Sequence, residues 1–386
     1  MHGPARAGRP RFDIADIVRR HRAALETVQE LTTQQRRVLS AIERCRTAAL
    51  GGHLDVCRSC GKQQPVYNSC RNRHCPKCQA LAQERWIAAR SERLLSVRHF
   101  HVVFTLPSEL RRLAHFKPKV IFDALFRAAS KTLLALGRSR LGAELGVTMV
   151  LHTWTRELHF HPHVHAIVTA GGLHDDGNRW ARSGERYLFP VRVMGALLRG
   201  MMMASLRRLR RDGKLDGFDH FHDPEGFDRL MSQLAKKNWI VYAKKPFRRT
   251  NHVLEYLGRY THRVGIANSR LLLVNDEHIT FRTKNGKVTT VAPVEFLRRL
   301  VQHVLPPQYV KIRHYGLYAA SHTNGMRAIA CKLLGAPVDQ RAVPTVTPWC
   351  MLLLQLTGRD VSRCPWCQGD LIRLPLRSRA PPSRTA

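Results

Sequence analysis

His159, His161, His163 and His165 occupy alternate positions ahead of the apolar run Ala166-Ile167-Val168 and the break at Gly171-Gly172. Alternation leading into a short apolar run reads as a buried β-strand, and alternate side chains of a strand share a face. Neutral imidazole is the commonest metal-ligating side chain, so histidines gathered on one strand face make a candidate site for a divalent cation. The chain has 21 histidines, and a single one is ordinarily a packed core residue. Four on one face of an otherwise apolar strand point to a metal.

The cysteines suggest a second kind of site. Cys57-Arg-Ser-Cys60 and Cys75-Pro-Lys-Cys78 are separated by fourteen residues. Each Cys-x-x-Cys knuckle offers two thiolates to one ion, and two knuckles complete a tetrahedral zinc. Cys57, Cys60, Cys75 and Cys78 are therefore expected to hold a structural zinc. Cys45, His53, Cys70 and His74 lie around them, enough ligands for a second zinc; free buried cysteines and surface histidines are the alternative. Cys364-Pro-Trp-Cys367 is a lone knuckle, half of a zinc site whose partners the sequence does not name. Ten cysteines in this arrangement, with no secretory signal at Met1-His2-Gly3-Pro4, argue for metal over disulfides and for a cytoplasmic location.

The third chemical feature is Tyr256-x-x-x-Tyr260, within a segment from Asn251 to Arg263 that reads as a helix, so both hydroxyls would leave one face. A packed aromatic pair is the ordinary explanation of that spacing. Lys244, Lys245, Arg248, Arg249, Arg259 and Arg263 crowd the pair in sequence, an unsuitable setting for a purely apolar contact. The same excess runs through the chain: 64 Lys+Arg against 28 Asp+Glu give a net charge of +36 and a pI near 11. A phosphate backbone is the natural counter-charge. An anionic membrane surface is the lesser alternative, since no apolar run is long enough to span a bilayer. A histidine-bound cation, a tyrosine pair and a basic surface together suggest attack of tyrosine on a DNA phosphodiester, with the bond energy stored in a phosphotyrosine. No G-x-x-x-x-G-K-[ST] loop occurs, as expected of chemistry that needs no nucleotide.

The elements that must carry these groups follow from periodicity. Residues 1 to 12 read as a disordered basic arm, and Asp13 to about Ala49 as two helices. With the cysteine segment and a helix from Gln79 to Ser96 they form an expected DNA-binding zinc domain over 13–96. A strand from His99 to Pro107, a helix from Pro118 to Leu136, a strand from Val147 to Trp154 and the histidine strand suggest an α+β domain on an antiparallel sheet, spanning 97–345. Its histidine strand should be an inner one. Further along come a helix from Val191 to Arg211, with its Met-Met-Met run as core, and a strand from Asn238 to Pro246 delivering Lys244 and Lys245 to an edge. A meander between Arg270 and Val291 turns at Asn285-Gly286. A helix opened by Pro293, a strand from Tyr309 to Tyr315 and a helix from Gly325 to Leu334 complete the body. Residues 346–386 hold the lone knuckle and a basic tail.

These parts resemble a known family. His163-Val164-His165 followed by Tyr256-x-x-x-Tyr260 is similar to the signature of HUH endonucleases with two tyrosines, and the order of parts resembles that of rolling-circle insertion-sequence transposases of the IS91 group. The likeness also takes in Tyr67 to Gln79 of the cysteine segment, Gly171-Gly172, Tyr260-Thr-His-Arg263 and Val310 to Gly316, so it runs from about residue 13 to about 370. The resemblance implies an HUH-type antiparallel sheet with packed helices behind a small zinc-binding domain. It implies Mg²⁺ or Mn²⁺ at the HUH strand, Zn²⁺ in the N-terminal domain, single-stranded or hairpin DNA at element ends, target DNA, and 5′-phosphotyrosine intermediates. Carried over by position, His163 and His165 are metal ligands and Tyr256 and Tyr260 nucleophiles. The signature leaves the third ligand open; His161 is expected because it shares their face. Lys244, Lys245, Arg259 and Arg263 are expected to contact DNA. Competing readings are a plasmid replication initiator or relaxase using the same chemistry, and a non-enzymatic zinc protein that only binds DNA.

Overall fold

The computed structural model describes residues 11–91, 93–185, 187–218, 224–247, 253, 265–322, 325–335, 348–358 and 360–376. Helices α1 (Ile14–Val28) and α2 (Thr33–Arg44) open the chain. Asp13 caps the first, accepting from the Ala15 N–H, and Thr32 with Gln35 forms a reciprocal capping box on the second, which accounts for the break between them. Strands β1 (Gly52–Cys57) and β2 (Gln63–Tyr67) and helix α3 (Gln79–Ser91) follow.

The body is built from β3 (His99–Thr105), α4 (Arg111–Phe116), α5 (Pro118–Leu141), β4 (Ala143–Trp154), β5 (Phe160–His174) and β6 (Trp180–Arg182). Then come α6 (Val191–Arg211), α7 (Pro224–Lys236) and β7 (Val241–Ala243). Proline opens α5, and Gly142, in the left-handed conformation, closes it, as a side chain with a Cβ would do only under strain. The chain continues through β8 (Leu271–Val274), β9 (Ile279–Arg282), β10 (Val288–Val291), α8 (Pro293–Val301), β11 (Ile312–Gly316), α9 (Met326–Leu333), α10 (Trp349–Thr357) and β12 (Leu371–Leu376).

The main sheet is antiparallel, in the order β11-β4-β5-β3-β7, with β6 added beside the far end of β5. The histidine strand β5 is thus an inner strand, as expected. Along β4, Val147, Met149 and Leu151 point into the core shared with α5 and α6; so do Val164, Ala166 and Val168 of β5 and Phe100, Val102 and Phe104 of β3. The intervening residues occupy the opposite face. Registration there pairs His152 with His163, Val150 with His165, and His101 with Ile167. Strand alternation therefore assigns one face to the core and the other to the histidines.

Two connections cross the boundaries expected from the linear order. Helices α1 and α2 share one hydrophobic core with Ile266, Leu271, Ile279, Phe281, Phe296 and Leu297. The meander β8–β10 has only four-residue strands, too little to enclose a core of its own, and it uses the N-terminal helices as its cover. At the other end of the chain β12 pairs antiparallel with β1, Gly52 to Leu376 through Cys57 to Leu371. Among the described residues, no helix is long and apolar enough to cross a membrane.

Candidate metal centres and active site

The cysteines form two separate four-thiol clusters. One joins Cys45, Cys70, Cys75 and Cys78; the other joins Cys57, Cys60, Cys364 and Cys367. Sγ to Sγ distances are 3.5 Å for Cys45–Cys78 and 3.6 Å for Cys70–Cys78 in the first, and 3.4 Å for Cys57–Cys367 and 3.7 Å for Cys60–Cys364 in the second. A disulfide would need about 2.0 Å, whereas thiolates at ~2.3 Å around a tetrahedral zinc lie a little under 4 Å apart. Both clusters fit Zn²⁺.

Their electrostatics call for the cation. In the first cluster, hydrogen bonds from Cys45, Cys70 and Cys75 hold the Cys78 thiol far below its usual range. The matching contacts with Cys45, Cys70 and Cys78, together with burial, push Cys75 up. Cys45 and Cys78 ionise readily while Cys70 and Cys75 resist; a divalent ion removes that conflict.

This grouping corrects the expectation that Cys57, Cys60, Cys75 and Cys78 form one site. The hairpin β1–β2 carries the first knuckle away from the second, and β12 brings Cys364 and Cys367 to meet it. The lone C-terminal knuckle thereby acquires its partners. The two histidines proposed as ligands also fall elsewhere. His53 faces Asp55, with Nε2 3.3 Å from Oδ1, and His74 Nε2 accepts the Leu305 N–H at 3.4 Å. Next to His74, Arg73 donates to the Pro306 carbonyl at 3.0 Å and to that of Tyr309, fastening the Cys70–Cys78 segment to the stretch ahead of β11.

On the face of the main sheet opposite the core, His152, His163 and His165 bring their ring nitrogens within 4.8 Å of one another. His163 Nδ1 donates to the His161 carbonyl at 2.6 Å, leaving Nε2 with its lone pair. His165 Nδ1 lies 2.8 Å from His101 Nε2, and with His165 as the donor its Nε2 is likewise a ligand. Such hydrogen bonds behind the ligand are the usual way a metal-binding imidazole is oriented. Trp154 stacks on the His152 ring at 4.6 Å. Burial, partly opposed by the hydrogen bond to the His161 carbonyl, lowers the His163 pKa to about 4. Its ring is therefore neutral, the ligating form, near pH 7. Three imidazoles with no carboxylate beside them among the described residues fit Mn²⁺ better than Mg²⁺, which prefers oxygen ligands.

His161 is not part of this trio, contrary to expectation. Arg111 donates to its Nδ1 at 3.0 Å, which places the neutral ring's proton on Nε2 and leaves neither nitrogen as a ligand. His152 stands with His163 and His165 instead. A signal for it exists in the sequence: it sits within the Val147–Trp154 strand that should neighbour the histidine strand, on one parity of the alternation.

Lys244 and Lys245 are exposed just beyond the edge strand β7, as expected, and the Lys244 N–H bonds the His101 carbonyl at 2.9 Å. Tyr256, Tyr260, Arg259 and Arg263 lie outside the described residues. Val253, three residues before Tyr256, is described and fully buried, clustered with Ile167, Trp86, Leu94 and Phe247. Ile167 lies on the histidine face of β5, one position beyond His165 on that face.

Comparison with known proteins agrees with this layout. A family described as "Transposase zinc-binding domain" matches residues 17–106, and one described as "Putative transposase" matches residues 146–325. A protein of Sinorhizobium fredii described as "Putative transposase y4qJ" is 40% identical over 379 residues, covering 94% of this chain and 94% of the relative. The "Transposase for insertion sequence element IS801" of Pseudomonas savastanoi pv. phaseolicola is 30% identical over 283 residues, covering 71% of this chain and 68% of the relative. No solved structure matches. With likeness running almost from end to end and the zinc-binding and transposase matches in that order, the chain belongs to the IS91 family of transposases that carry an N-terminal zinc-binding domain.

Proposed function

We propose that this transposase nicks and transfers single-stranded DNA at the ends of its element through Tyr256 and Tyr260, assisted by a divalent cation at His152, His163 and His165. The observation that carries this reading is the histidine trio itself: three rings gathered on the face of the sheet opposite the core, two of them contacted from behind at Nδ1. When bound there, Mn²⁺ or Mg²⁺ would withdraw charge from a phosphate oxygen and stabilise the departing 3′-oxygen. A tyrosine Oη then forms the bond to phosphorus, the bond to the 3′-oxygen breaks, and the 5′ end remains on the protein as a phosphotyrosine. Two tyrosines suit two cleavages, one holding the first end while the other attacks a second strand. Support for their place near the metal comes from Val253, buried against Ile167 on the same strand face as the trio.

The zinc clusters take the structural part. One stiffens the knuckle that Arg73 fastens to the body, and the other joins the N-terminal hairpin to β12. The basic residues Lys244, Lys245, Arg259 and Arg263 hold the DNA, and the protein works in the cytoplasm at the nucleoid. The test is incubation of the zinc-loaded protein with single-stranded element-end oligonucleotides and Mn²⁺, followed by a denaturing gel. A covalent protein–DNA band is expected, absent without the divalent ion and absent from Tyr256→Phe/Tyr260→Phe protein. A band that persists in the double variant rules the mechanism out.

A further inference from the structure

Against helix α4 lies an open groove of about 480 Å³ that neither the zinc clusters nor the metal centre uses, within the size range of small-ligand clefts. Helix α4 supplies Arg111, Arg112, His115 and Phe116; Phe160 at the start of β5, Phe218 beyond α6 and Gln302 after α8 complete its described walls. Phe116 is exposed, its ring 5.5 Å from that of Phe218, and His115 meets Phe160 edge-on at 5.4 Å. Lys117 Nζ sits 4.9 Å from the Phe116 ring centre. Among the described residues, no carboxylate lines the groove.

The groove is tied to the metal centre. Arg111, on its wall, bonds His161, two residues before His163 on the same strand. The Arg111 Nε is buried with no acceptor among the described residues, a donor that a phosphate oxygen would satisfy. Exposed aromatic rings interleaved with arginine are the chemistry by which proteins hold unpaired nucleic-acid strands: bases stack on the rings while cations follow the backbone.

We propose that this groove receives an unpaired base of single-stranded DNA, stacked on Phe116, as the strand runs toward the histidine trio. The proposal rests on the DNA-nicking reading for the identity of the strand but not on cleavage itself. Duplex DNA keeps its bases paired and offers none to the groove. Phe116 therefore contributes to single-strand binding and not to duplex binding, which the basic surface secures through phosphates alone.

The experiment compares zinc-loaded wild-type and Phe116→Ala protein, without added Mn²⁺, in binding oligothymidylate, an abasic strand of equal length and a duplex. Phe116→Ala is expected to weaken oligothymidylate binding about tenfold, with no change toward the abasic strand or the duplex, and Phe116→Trp to restore it. Equal loss toward all three ligands, or none toward oligothymidylate, would overturn the groove. Phe116 is a surface side chain, and unchanged zinc content and melting temperature confirm that the variant is folded. The covalent band is scored separately. A tyrosine-independent band with a base-dependent Phe116 effect sinks the nicking mechanism alone, and a tyrosine-dependent band with Phe116-insensitive affinity sinks the groove alone.

Discussion

His101 on β3 and His165 on β5 are joined by a 2.8 Å hydrogen bond, their rings stacked with centres 5.1 Å apart. Burial, with Lys244 and His163 nearby, lowers the His101 pKa to about 3, so His101 is neutral near pH 7 and able to accept the His165 Nδ1–H. With that direction the bond selects the tautomer in which His165 Nε2 ligates. His101→Ala is expected to weaken Mn²⁺ binding roughly 10–100-fold, the usual cost of losing an outer hydrogen bond to a ligand. Gln, whose side-chain oxygen can accept the same proton, should restore part of it. Calorimetric titration of the zinc-loaded variants with Mn²⁺ checks this; unchanged affinity in the Ala variant would mean that His165 is not a ligand.

His152 and His161 distinguish the trio from the three-in-a-row arrangement suggested by alternation. His152→Ala removes a ligand and should abolish Mn²⁺-dependent strand cleavage, a larger effect than the roughly 10–100-fold expected for His101. His161→Ala removes a ring already engaged by Arg111 and should leave Mn²⁺ affinity within a few-fold of the wild type. The reverse ranking in the same titration would restore His161 to the site.

Much of the catalytic sheet was legible in the sequence. Alternation along β5 put His163 and His165 on one face, and the apolar run after them set an inner strand. The third histidine of the cluster was not legible in the same way, because His152 reaches His163 and His165 through strand pairing, and register is a property of two strands that neither displays alone. The zinc grouping failed for a related reason. Knuckles are recognisable from spacing, but which two share an ion depends on long-range pairing; here β1 with β12 spans nearly the whole chain. The strand β12 itself, Leu-Ile-Arg-Leu-Pro-Leu, was obscured by Pro375, which is tolerated because β12 is an edge strand.

Two zinc ions per chain are expected by elemental analysis of the purified protein. Cys45→Ser and Cys364→Ser should each leave one, because the clusters share no ligand. The double variant Cys57→Ser/Cys75→Ser separates the two groupings: if those residues served one ion, one zinc would remain, whereas the structure leaves none. Cys364→Ser should also loosen β12 from β1, which protease susceptibility at the C-terminal end would reveal.

Acid should destabilise the fold through histidines that bind no metal. His99 Nε2 lies 2.8 Å from the Tyr318 hydroxyl; His303 donates from Nε2 to the Leu158 carbonyl at 3.1 Å and has the Thr153 hydroxyl 3.2 Å from Nδ1. Burial lowers both pKa values from 6.5 to about 4. The unfolded chain therefore takes up these protons first as pH falls. The stabilisation is complete above pH 6.5, declines below it, and is lost by about pH 4, at on the order of 3 kcal/mol for each histidine. Melting temperature should drop steeply across that window. His303→Gln, which keeps a polar side chain without an imidazole to titrate, should flatten the profile even where it lowers the stability at pH 7; a variant with the wild-type slope would show that His303 does not resist protonation in the folded chain.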